Sequence, residues 1–192
     1  MGTTNVDRDH RTLIEATENG WWYSSQLSDG KRVVVFHTDD QDPSSKRARK
    51  PEGFRDMLQD TAHISQTIED VDYRVISGAG YPRCIAAGSS YLEPFGDEGD
   101  QWCAVGDAAV AFDPLSSQGM ITALRMGGSL GIVLANKLEY SDASGHPGGG
   151  ESDMGLNLVR KQYDECREDY EKKRSYFYQQ SMFSSEFWQR QK

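Results

Sequence analysis

The sequence is poor in the residues that would staple a fold by covalent bonds or metal. Its three cysteines, Cys84, Cys103 and Cys166, show no paired ligand spacing and leave an odd one. That excludes a disulfide framework and points to a reducing, cytoplasmic setting. The histidines His10, His37, His63 and His146 stand far apart, outside any zinc-ligand spacing, so no metal is expected. No run of 18 apolar residues is present to span a bilayer. The polar start MGTTNVDRDH is not a signal peptide, and Val6 stands where a myristoylation signal needs Ser or Thr. Basic charge is short as well: Lys+Arg 21 against Asp+Glu 30 gives −9, a poor basis for binding nucleic acid. A Walker A run and a Gly-x-Ser-x-Gly elbow are both missing. The nearest approach to a dinucleotide fingerprint, Gly78-Ala79-Gly80-Tyr81-Pro82-Arg83, has Arg83 at the third glycine position and Pro82 blocking a helix.

What is present suffices for a folded chain. At 192 residues, about 70% of the extended surface can be buried, so no staple is needed. The acid excess is uneven: residues 51–100 carry ten acids and three bases, while 1–50 and 151–192 balance at eight and eight. A solvated face accounts for it. The basic cluster Lys46-Arg47-Ala48-Arg49-Lys50 follows Asp39–Ser45 and reads as a polar loop, with nuclear targeting the alternative.

Trp21–Leu27 and Arg32–Thr38 are aromatic and β-branched runs flanking Ser28-Asp29-Gly30-Lys31, which predicts two strands joined by an Asp-Gly turn. Pro51 opens a helix with Phe54, Leu58 and Ala62 on one face, and Ile64, Ile68 and Val71 mark a second over 63–71. Short extended segments are expected at 74–76 and 84–92. Residues 101–105 read as a buried strand ending at Gly106-Asp107. From Ser116 or Ser117 a helix is predicted to about Leu138. It contains Gly119, Gly127, Gly128 and Gly131, each costing about 1 kcal/mol relative to Ala, which implies close packing against a strand or ligand. Residues 142–150 form a flexible linker. A last helix starts near Met154, with Tyr163, Cys166 and Tyr170 inward and Lys161, Glu165, Glu168 and Lys172 outward.

Residues 102–120 hold the one constellation with a coherent chemistry. A strand delivers Asp107 at its carboxyl end, where open α/β sheets bind ligands, and its carboxylate can accept from sugar-like hydroxyls. Pro114 forces the chain out of helix, and the next helix begins near Ser116-Ser117-Gln118-Gly119 with free N–H groups suited to partial negative charge. Alternatively, Asp107 and Ser116 or Ser117 only cap turns and the helix. Trp21-Trp22-Tyr23 also has two readings: core aromatics, or a sheet face presenting Trp21 or Tyr23 to a planar substrate.

The stretch Trp-Cys-Ala-Val-Gly-Asp-Ala-Ala-Val-Ala-Phe-Asp-Pro-Leu-Ser-Ser-Gln-Gly-Met over 102–120 resembles the second flavin-binding motif of FAD-dependent monooxygenases and flavin-dependent halogenases. The resemblance extends to Glu18–Ser24, Val33–Asp39, Tyr176-Phe177-Tyr178 and Phe187–Arg190. Gly20-Trp21-Trp22-Tyr23 is similar to the halogenase Gly-Trp-x-Trp signature, with Tyr23 in place of the second tryptophan.

The resemblance implies FAD as cofactor, with Asp107 on the ribityl chain and Gly106 allowing close approach. Pro114 would lie by the isoalloxazine ring, and the N–H groups near Ser117, Gln118 and Gly119 would face its N1/O2 edge. It implies reduced flavin and O₂ acting on a small organic substrate, hydroxylated or halogenated, with a flavin reductase as partner. The fold expected is α/β, an α+β fragment of an FAD/NAD(P)-binding fold. A partial substrate sheet would occupy 1–95, the second FAD segment 96–141, a linker 142–153 and a helical segment 154–192. The family's Gly-x-Gly-x-x-Gly unit, which holds the ADP half, has no counterpart in this sequence. The chain is therefore expected to be truncated, split or degenerate, to need a complementing segment or subunit, and to purify alone without stoichiometric FAD. A non-catalytic remnant that binds another protein is the alternative.

Overall fold

A computed structural model describes residues 1–76, 82–97, 102–144 and 153–191. They fall into two units, Met1–Ile85 with Phe177–Lys192, and Ala86–Tyr176. The first unit therefore ends about ten residues before the expected boundary at 95, and the expected helical segment 154–192 is divided between the two units at Phe177.

The first unit is built on an antiparallel meander of β1 (Leu13–Thr17), β2 (Gly20–Gln26) and β3 (Arg32–His37). The Asp-Gly turn joins β2 to β3 as expected, with Gly30 at φ +78°. Strand β1 is an addition to the sequence reading, paired from Leu13↔Ser24 to Thr17↔Gly20. Alternation assigns the two tryptophans to opposite faces. Trp22 packs against Phe36 and Phe54 in a cluster with Met57, Leu58 and Ile64. Trp21 stacks on His37 at 3.8 Å and donates its Nε1–H to Tyr178.

Residues 39–50 are not the loop expected. They contain α1 (Pro43–Ala48), because Asp42 accepts from the Ser44 N–H at 2.9 Å and Pro43 sits at the first helical position. Next come α2 (Pro51–Gln59) and α3 (His63–Asp70). Helix α2 ends before Ala62, which is exposed. The Glu15 carboxylate, reaching from β1, accepts the N–H groups of Ala62, His63 and Ile64 at the start of α3. After α3, the extended segment expected at 74–76 is reduced to a single bridge between Gly2 and Arg74.

The second unit has only short antiparallel ladders: β4 (Ser90–Tyr91) with β7 (Val110–Ala111), and β5 (Gly96–Asp97) with β6 (Trp102–Cys103). The buried strand expected at 101–105 is thus two residues long, and Trp102 is 40% exposed. Its partner β5 offers only two paired positions. Of the segment 84–92, only β4 is extended in a ladder. Helix α4 (Gly119–Ser144) starts later than expected, since Pro114–Ser116 form a 3-10 turn and Ser117 is left-handed at φ +52°. Helix α5 (Asp153–Gln179) buries Val159, Tyr163 and Tyr170 beside Phe95, Phe112 and Met126, the phase predicted, and leaves Lys161, Glu165, Glu168 and Lys172 exposed. Helix α6 (Glu186–Gln191) belongs to the first unit and buries Phe187 and Trp188. Residues 142–144 and 153 of the expected linker are helical; 145–152, like Gly78–Tyr81, lie outside the described residues.

Candidate functional site

The segment between β6 and α4 turns sharply twice. Val105 is extended, and Gly106 then takes φ +60° to open a 3-10 turn through Ala108. The turn closes by the Ala109 N–H donating to the Gly106 carbonyl at 2.9 Å. Asp107 therefore leaves a 3-10 turn and not the end of a long strand, correcting the open-sheet geometry expected for it. The described ladders are all antiparallel.

Beyond β7 the second turn is fixed by its own side chains. Asp113 Oδ1 accepts from the Leu115 N–H at 2.8 Å, and the Tyr170 hydroxyl accepts from the Asp113 N–H at 3.1 Å. Ser116 Oγ accepts from the Gln118 N–H at 3.3 Å. The first backbone bond of α4 runs from Thr122 N–H to the Gln118 carbonyl at 3.0 Å. The N–H groups of Gly119, Met120 and Ile121 precede that bond and mark the positive end of the helix.

These two turns meet at Asp107 and Gly119. A Cβ added to Gly119 would stand 3.6 Å from Asp107 Oδ1, so the carboxylate lies across the helix start. Asp107 is exposed and makes no hydrogen bond among the described residues. The capping duties belong instead to Asp113 and Ser116. Pro114 is exposed beside Ser117, and Gln118 is half-buried. Asp107, Pro114 and Ser117, all exposed, and Gln118 and Gly119, half-buried, therefore line one rim, with Gly106 buried at its base against Ala123. It offers a carboxylate acceptor next to helix N–H donors, a pairing that suits a hydroxylated chain attached to a polar ring.

Behind the rim, Tyr170 is buried, packs tilted against Phe112 at 4.6 Å and shares a hydrogen bond with Ser89. Burial raises the pKa of its phenol. Burial also raises the Cys103 thiol, keeping it protonated and unreactive. Among the described residues, added Cβ atoms at Gly127, Gly128 and Gly131 would have nothing within 4 Å, so no described strand packs closely on them.

The two substrate-side candidates, Trp21 and Tyr23, belong to the first unit, and the rim residues to the second. Trp21 is 3% exposed under Tyr178 and His37, so it serves the core, and Tyr23 is half-buried on the same face. A cleft of about 640 Å³ lies on the other face, lined by Trp22, Phe36, Met57, Phe183, Arg47 and Glu15 among others. Strand alternation turns Trp22 toward this cleft. The signal was in the sequence, in the parity of the strand. Among the described residues, no three His, Cys, Asp or Glu side chains gather to hold a metal, and no helix is long and apolar enough to cross a membrane.

No family model matches the sequence, and no solved structure matches it. The chain is similar to a protein of Marinomonas mediterranea named, provisionally, as the FAD-dependent oxidoreductase LodB. Identity is 31% over 107 residues, which are 56% of this chain and 27% of LodB. The chain thus spans about a quarter of that protein's length.

Proposed function

We propose that the chain is the second flavin-binding segment, with an adjoining sheet, of an FAD-dependent oxidoreductase. The observation that carries this reading is the Asp107 carboxylate, exposed and unbonded across the start of α4 beside Gly119. The likeness to LodB supports the same class. When bound, the flavin would supply electron transfer and the activation of oxygen. Asp107 would accept hydrogen bonds from ribityl hydroxyls, and Gly106 and Gly119 would keep the rim free of side chains. Pro114 would flank the ring. The N–H groups of Gly119, Met120 and Ile121, which precede the first bond of α4, would hold partial negative charge on its polar edge, while those of Ser117 and Gln118 are donated to Pro114 and Ser116.

Of the two reactions the motif resemblance suggests, we favour hydroxylation of a small organic substrate over halogenation. Tyr23 replaces the second signature tryptophan, and Trp21 is committed to the core. The ADP half of FAD would be held by polypeptide beyond this chain, and a reductase would deliver electrons.

Fluorescence titration with riboflavin and with FAD tests the assignment, because riboflavin carries only the parts this rim would hold. Asp107→Ala is expected to weaken flavin binding by about 10- to 150-fold, the worth of a charged hydrogen bond, with little change in melting. Ser117→Ala is expected to leave affinity unchanged, since the exposed side chain makes no hydrogen bond among the described residues and the Ser117 N–H stays with the Pro114 carbonyl. Equal affinity of Asp107→Ala and wild type would remove the flavin assignment.

A further inference from the structure

We draw no further inference here: the strongest candidate, the exposed apolar face of α4 that bears Met120, Leu124, Gly127, Gly131 and Leu138, carries nothing, because the proposed function already calls for further polypeptide at this helix and nothing in the structure shows what covers it.

Discussion

A Cβ on Gly106 would stand 2.9 Å from the Cβ of Ala123, with the Gly106 backbone in the left-handed region at φ +60°. Glycine is thus required twice, by the turn that projects Asp107 and by the contact between that turn and α4. Gly106→Ala is expected to cost about 3 kcal/mol, combining left-handed strain with overpacking. Gly30→Ala shares a positive φ but meets nothing within 4 Å, so about 1–2 kcal/mol is expected. Urea melts of both variants check the difference; equal losses would mean that the contact with Ala123 yields without cost.

Arg32 and Asp7 form a buried ion pair at 2.7 Å, with side chains 0% and 2% exposed. Burial alone would raise the Asp7 pKa, but hydrogen bonds from Tyr73 and Arg32 outweigh it and hold the carboxyl below its ordinary value. A carboxyl depressed in the folded state stabilises above its unfolded pKa of about 4 and loses that contribution as pH falls through the folded value. Wild type is therefore expected to lose stability progressively below about pH 4. Asp7→Asn should cost about 3–5 kcal/mol at pH 7, since Arg32 is left buried and uncompensated, and should flatten the acid limb. Thermal melts from pH 2.5 to 7 measure both, and an acid limb unchanged in Asp7→Asn would assign it to other carboxylates.

Elements governed by local chemistry were legible before the fold was known. The Asp29-Gly30 turn, Pro51 at the start of α2 and the Tyr163–Tyr170 stripe all follow from turn residues and period. Strand β1 escaped notice because Leu-Ile-Glu-Ala-Thr has little strand composition of its own; pairing with β2 makes it a strand. Helix α1 did carry a signal, Asp42-Pro43-Ser44, which the neighbouring charges obscured. At the rim, the residue set was readable from motif and helix-start rules. The geometry was not: Gly106 closes on Ala123 of α4, and Tyr170 reaches the Asp113 N–H from α5, contacts that no local pattern encodes.

Tyr170 supplies the test that separates a built rim from an incidental loop. Its hydroxyl accepts the Asp113 N–H and bonds Ser89, while its ring rests on Phe112. Tyr170→Phe keeps the ring contact and removes only the hydroxyl, with its bonds to Asp113 and Ser89. Leaving buried polar groups without this partner is expected to cost about 1–3 kcal/mol. The turn from Asp113 to Ser117 should loosen, so the helix N–H groups lose their fixed aim, and riboflavin affinity should fall several-fold although Asp107 is untouched. The pH dependence adds a second readout. Burial raises the Tyr170 pKa, so its contribution is full below the unfolded tyrosine value near 10 and is lost as pH rises through the folded one. Tyr170→Phe should therefore lose less stability than wild type between pH 9 and 11.5, although Tyr73, Tyr91 and Tyr163, also raised by burial, keep their share. Melts across that range beside a riboflavin titration decide the matter. A variant that loses stability but binds riboflavin like wild type would show that Tyr170 braces the unit without aiming the rim.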